Sequence, residues 1–172
     1  MIVVMGVDPG VANTGFGVVR VAGGSISAVD GGVIEAPPGE PTEKRLLRIH
    51  DELAQLIGWH EPAALALEDV YFGRNVRSAI GVGQARGVAL LAAAKRGISC
   101  FDYTPQAVKT AVCGRGAAAK TQVQRMVGTL LALPQPPESD HAADALAVAI
   151  CHASHAGTAD AINRQLTGVG SA

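Results

Sequence analysis

Three strands' worth of distance separates a handful of side chains that share one chemistry. Asp8 closes the apolar run Ile2 to Val7, Glu68 stands near the end of AALALEDV, and Asp140, His141 and Asp144 crowd the opening of DHAADALAVAICH. An ionised carboxylate at the mouth of an apolar strand must be compensated by hydrogen bonds, a cation or a metal. Carboxylates held close to one another raise each other's pKa unless cations sit between them. Hard oxygen donors without a cysteine cluster favour magnesium or manganese. Two such ions, ~3.5–4 Å apart, clamp the attacking water and the leaving oxygen of a phosphodiester. Separations of three or four residues place His141 with Asp144, or Asp140 with Asp144, on a common helical face. Stabilisation of a helix N-terminus accounts well for Asp140 and poorly for Asp144.

The charge pattern names a polyanion as the substrate. Between Tyr71 and Leu130 lie nine bases, among them Arg74, Arg77, Arg86, Lys109 and Lys120, against the single acid Asp102. The rest of the chain carries five bases and fourteen acids, so a formal net charge of −1 conceals one strongly basic segment. Such asymmetry predicts a basic surface for nucleic acid, with acids reserved for chemistry or solubility.

The elements that must position these residues follow from patterning. Ile2 to Val7 reads as a central strand covered on both faces, since its apolar residues do not alternate strictly. Pro9 removes a ladder donor and Gly10 permits a bend, which projects Asp8 at the sheet edge. Thr14 to Arg20 returns as a hairpin strand, Ser25 to Ala36 supplies a third, and APPGEP is a loop. Thr42 is expected to cap a helix reaching about Gly58, with Leu46, Leu47, Ile49, Leu53, Leu56 and Ile57 on its buried side. Ala63 to Val70 repeats the opening, and a parallel pairing through that helix sets Glu68 beside Asp8.

Val76 to about Arg96 reads as a long helix holding Gly81, Gly83 and Gly87, each costing ~1 kcal/mol against Ala. That cost predicts close approach of another helix, with Gly83 and Gly87 placed at a contact between subunits. Ile98 to Tyr103 is the last strand, Thr104 caps a short helix to Cys113 with Pro105 in its first turn, and CGRGAAAK is a flexible connection. A helix over Thr121 to Leu131 and a final one from Glu138 or Ser139, with Ser139 as cap, complete an α/β unit of 1–155. Residues 156–172 turn small and polar and are expected to form a flexible tail.

At 172 residues and 48% hydrophobic content the chain suits one domain with one sizeable core. No apolar run approaches the ~18 residues of a membrane span, and no basic stretch precedes a signal-like segment, so a cytoplasmic protein is expected. Cys100, Cys113 and Cys151 are odd in number and far apart, which supports neither disulfides nor zinc.

Five blocks in order, GVDPGVANTGFGVV, ALEDV, GQARGVALLAA, VKTAVCGRGAAAKTQVQRMV and DHAADALAVAICH, resemble the RuvC family of Holliday-junction resolvases to about His155. The resemblance implies a ribonuclease-H-like fold with a mixed five-stranded sheet, a homodimer, and Mg2+- or Mn2+-dependent nicking of two opposed strands of a four-way DNA junction in recombination and repair. It implies Asp8, Glu68 and Asp144 as catalytic metal ligands, with His141 rather than Asp140 as the fourth, where family members have Asp or His. Lys109 and Lys120 match basic positions near the scissile phosphate, and Tyr71 an aromatic position for stacking on an unpaired base. Arg74 and Arg77 are expected on the same DNA-binding surface. The family also implies two ions per site, a thymine-rich cleavage preference, and RuvA and RuvB branch-migration proteins as partners. Other readings are a nuclease of the same fold acting on hybrids, a phosphate-binding turn of the actin and sugar-kinase kind, and a junction-binding module without catalysis. The kinase-like reading wants a second phosphate-binding domain, for which the chain is too short.

Overall fold

The computed structural model describes residues 1–69 and 76–167, with 76–78 and 156–167 described as backbone only. In chain order these form β1 (Ile2–Asp8), β2 (Asn13–Ala22), β3 (Ser25–Glu35), α1 (Thr42–His60), β4 (Ala64–Glu68), α2 (Val76–Ala94), β5 (Ser99–Tyr103), α3 (Pro105–Cys113), α4 (Lys120–Leu130) and α5 (Asp140–Thr167). The five strands make one mixed sheet ordered β3-β2-β1-β4-β5. β1, β2 and β3 pair antiparallel, while β4 runs parallel to both β1 and β5. The central position expected for β1 and its parallel pairing with β4 are both observed.

β1 is central because its two faces feed two cores. Val4 on β1 and Ala66 on β4 pack with Val108 and Val112 of α3, Val123 and Val127 of α4 and the apolar side of α5. Met5, Val7, Leu65 and Leu67 point the other way, against Ile49, Leu53 and Ile57 of α1 and the alanines of α2. Since successive strand residues alternate faces, Asp8 and Glu68 fall on the α5 side with Val4 and Ala66. Parity alone therefore aims both carboxylates at the helix that carries Asp144.

Glycines let α5 lie almost on the strands. A β-carbon at Gly6 would collide with the carbonyl oxygen of Ala145, and one at Gly15 with that of His141. Gly15→Ala is expected to cost about 1–3 kcal/mol, the scale of overpacking, and to push the His141 turn off the sheet. Urea denaturation of the variant beside wild type checks the first effect, and a nicking assay the second.

Several boundaries depart from expectation. Thr42 is not the cap of α1: Pro41 takes that place with extended backbone and no side-chain cap bond, and its carbonyl accepts from Lys44 and Arg45. α1 runs to His60, with Glu61 as its cap in left-handed geometry at φ 44°, and Leu47, expected on the buried side, is exposed because it falls off the stripe formed by Ile49, Leu53 and Leu56. α2 stops at Ala94, short of Arg96, and α4 begins at Lys120 rather than Thr121. Thr104 does cap α3, its Oγ1 accepting from the Ala107 N–H at 3.1 Å. The glycines of α2 divide: a β-carbon at Gly81 would press on Val11 at 3.2 Å, whereas Gly83 and Gly87 face open space. The three cysteines are free thiols.

Candidate active site

Strand register sets the first two acids side by side. Val7 pairs with Leu67 in the parallel β1–β4 ladder, so Asp8 and Glu68 follow at adjacent strand ends. The turn after Asp8 is closed without its carboxylate: the buried Thr14 hydroxyl donates to the Gly10 carbonyl at 2.7 Å and accepts from the Gly10 N–H at 3.3 Å. Asp8 is thereby left for another partner, and its Oδ2 lies 2.7 Å from His141 Nδ1.

The third acid comes from α5, whose first turn is anchored by the Ala143 N–H donating to the Ser139 carbonyl at 3.0 Å. Asp144 Oδ2 stands 3.1 Å from Lys120 Nζ, and Asp140 Oδ2 stands 3.4 Å from the same atom. Lys120 opens α4, where a cation opposes the helix dipole. Its two carboxylate neighbours supply the compensation.

Titration behaviour reflects the crowding. Burial, then the charges of Asp144 and Asp8, push Glu68 up to about 7, with Lys109 and Lys120 pulling the other way. Burial likewise raises Asp144, with Asp8 and Asp140 adding to it and Lys120 opposing. Burial works against the Lys120 ammonium, but its bonds and charge pairing with Asp144 and Asp140 prevail and lift it above the ordinary lysine value. Glu68, Asp144, Lys109 and Lys120 bound a cavity of about 250 Å3, floored by Val108 and Val123.

Among the described residues, no three His, Cys, Asp or Glu side chains already stand in metal-ligating geometry. Asp8 is engaged by His141 and Asp144 by Lys120 instead. The donor set nonetheless fits hard divalent ions. Burial, and after it the charges of Asp144 and Asp8, raise Glu68 to about 7, and a divalent cation relieves the repulsive part of that shift. His141, bonded through Nδ1, keeps Nε2 as the nitrogen for a further ligand, the arrangement in which a carboxylate orients a ligating imidazole.

Of the basic residues expected at DNA, Lys109 and Lys120 share the cavity with the acids. Tyr71 and Arg74 lie outside the described residues, and Arg77 is described only as backbone of α2. Arg86 departs from the expectation of a basic surface: it is turned inward, donating through Nη1 to the Glu68 carbonyl at 3.1 Å and paired with Asp102 of β5. The signal was present in the lone acid of a basic segment, one residue before Tyr103, which pairs with Glu68. Thr14 was likewise missed, because a threonine in a hairpin strand reads as a β-former.

A family model described as crossover junction endodeoxyribonuclease RuvC matches residues 4–152. The chain is 53% identical over 152 residues to the crossover junction endodeoxyribonuclease RuvC of Pelotomaculum thermopropionicum, spanning 88% of this chain and 93% of that one. It is 49% identical over 154 residues to that of Chloroflexus aggregans, spanning 90% and 94%. Among solved structures, Thermus thermophilus RuvC in complex with Holliday junction substrate superposes with a TM-score of 0.86 at 39% identity, over 91% of this chain and 95% of that one. The likeness bears out the ribonuclease-H-like α/β fold, and the chain belongs to the RuvC family of crossover junction endodeoxyribonucleases.

Proposed function

We propose that this endonuclease resolves four-way DNA junctions where the ends of β1 and β4 meet the start of α5, with Asp8, Glu68, His141 and Asp144 holding two divalent ions. The observation that carries the reading is the convergence of three carboxylates from distant segments, two of which, Glu68 and Asp144, share one cavity with Lys109 and Lys120. Divalent-metal use accords with the family, and the oxygen-rich donor set favours magnesium or manganese. Bound there, the ions supply the Lewis acidity that phosphodiester hydrolysis requires.

The chain's own residues divide the remaining work. Lys120 leaves Asp144 when a phosphate arrives and turns its ammonium to the phosphate oxygens, with Lys109 beside it as a second fixed cation. Asp8 holds the His141 ring in one orientation through Nδ1. Tyr71 stacks on an unpaired base, and Arg74 and Arg77 hold backbone phosphates. The partners are RuvA and RuvB, in the cytoplasm where the DNA lies. No helix among the described residues is long and apolar enough to cross a membrane.

Paired incision calls for two sites related by a two-fold axis. The stripe of α2 formed by Ile80, Gly83, Gln84, Gly87, Leu91 and Ala94 is uncharged and exposed among the described residues, which suits the centre of a homodimer interface. Gly83→Glu or Gly87→Glu is expected to weaken dimerisation about a hundredfold, since an unpaired carboxylate would be buried. Sedimentation should then show monomers, and junctions should receive single uncoupled nicks. A variant that keeps its dimer mass moves the interface elsewhere.

The activity is tested on a panel of four-way junction, duplex, RNA–DNA hybrid and single strand, with Mg2+, with Mn2+ and with EDTA. Symmetric paired nicks confined to the junction and abolished by EDTA are expected. Equal cutting of the hybrid would favour a ribonuclease, and junction binding without nicking would favour a binding module.

A further inference from the structure

We propose that Arg86 is a positioning residue for the nuclease reaction, fixing the backbone that carries Glu68, with Asp102 holding its guanidinium in place. β4 ends at Glu68, whose pairing with Tyr103 is the last rung of the β4–β5 ladder, so that rung alone would leave the carbonyl side of the peptide that aims this carboxylate unheld. Both polar groups of the Glu68–Asp69 peptide are gripped from outside the strand. The Glu68 carbonyl accepts from Arg86 Nη1 at 3.1 Å, and the Asp69 N–H donates to the Tyr103 carbonyl at 2.7 Å. Arg86 reaches the carbonyl from α2 with a largely buried side chain, while its Nη2 pairs with Asp102 on β5. Three elements thus meet at one peptide.

The contact is to backbone, which separates Arg86 from the groups that set the carboxyl's charge, chiefly Asp144, Asp8, Lys109 and Lys120. Its effect is therefore on where Glu68 stands. A planar fork that serves two acceptors at fixed angles is a property of arginine, and lysine would satisfy only one of them. Displacement of a reacting group by about 1 Å costs roughly a hundredfold in rate, so a clamp on this peptide matters for catalysis as well as for folding.

This inference rests on Glu68 being a metal-holding carboxylate, and the experiment separates the two. In the full-length protein, Arg86→Ala, Arg86→Lys and Asp102→Asn are compared with wild type by amide hydrogen exchange, Mn2+ binding followed by electron paramagnetic resonance, and junction nicking across Mn2+ concentrations. Exchange of the Asp69 amide is expected to accelerate in both Arg86 variants while the amides of β1 and β2 keep their protection. Mn2+ affinity falls about 10–100-fold, the scale for losing a group that supports a metal ligand. Nicking is partly recovered by raising Mn2+, and Asp102→Asn lies between. Unchanged Asp69 exchange and Mn2+ affinity in a folded Arg86→Lys overturn the proposal, as does exchange that accelerates uniformly through the sheet. If Arg86→Ala fails to fold, Arg86→Lys and Asp102→Asn decide by the same readouts. Should wild type bind no Mn2+, the metal reading of Glu68 falls, and the Asp69 amide still tells whether Arg86 holds this peptide.

Discussion

Junction nicking is expected to fall about a thousandfold in Glu68→Gln and in Asp144→Asn, the scale of removing one preorganised electrostatic contact from a reaction centre, while junction binding holds. Either substitution removes a negative charge from a cavity that must receive a phosphate, so affinity for DNA should stay level or rise. Gel-shift titration in Ca2+ and single-turnover nicking in Mg2+ separate the two quantities. Loss of binding in step with nicking would assign these acids to the fold rather than to the reaction.

The same substitutions carry a signature in pH. Glu68 is pushed up to about 7 by burial and by Asp144 and Asp8, well above the usual value of roughly 4.3 for an unfolded chain. Between those values the folded protein binds more protons than the unfolded one, so stability decreases as pH rises through that interval and levels off above about 7. Asp144 is shifted in the same direction. Metal-free wild type is expected to melt higher at pH 5 than at pH 7.5, with the difference reduced in Glu68→Gln. Added Mg2+ should diminish it as well, because a divalent ion stabilises the ionised carboxylates. Nicking at limiting Mg2+ should fall as pH drops below about 7, where Glu68 takes up its proton.

The second large effect concerns the two neighbours that open α5. His141→Ala is expected to reduce nicking about a hundredfold, the upper range for disturbing a metal ligand's shell, and Asp140→Asn to leave it within about threefold, as for an exposed ion pair. The structure separates them: His141 reaches Asp8 at 2.7 Å, whereas Asp140 stands more exposed, 3.4 Å from Lys120. His141→Asp should restore much of the activity, since a carboxylate supplies the same donor. An inactive Asp140→Asn beside an active His141→Ala, in the same nicking assay, reverses the assignment.

The acids were legible because each interrupts an apolar run where burial would otherwise be costly, and strand parity then determines which face they take. Lys109 and Lys120 were legible as charges, but the contacts of Lys120 were not, since the pairing with Asp144 depends on how α4 approaches α5. Thr42 was misread because a hydroxyl at a helix start resembles a cap, while Pro41 already has the backbone geometry required. Arg86 was hidden for a related reason. Composition counts a guanidinium as surface charge, and only tertiary structure shows it bonded to a carbonyl across two other elements.

The bond between Asp8 and His141 spans 133 positions in the chain, and α5 is translated after every strand of the sheet. Contacts so distant in sequence form late in folding, because the intervening chain must first be ordered. With the site proposed above, a growing polypeptide with all five strands outside the ribosome still has no cutting centre. The helix that ends this fold also determines when a nascent chain first becomes able to damage DNA.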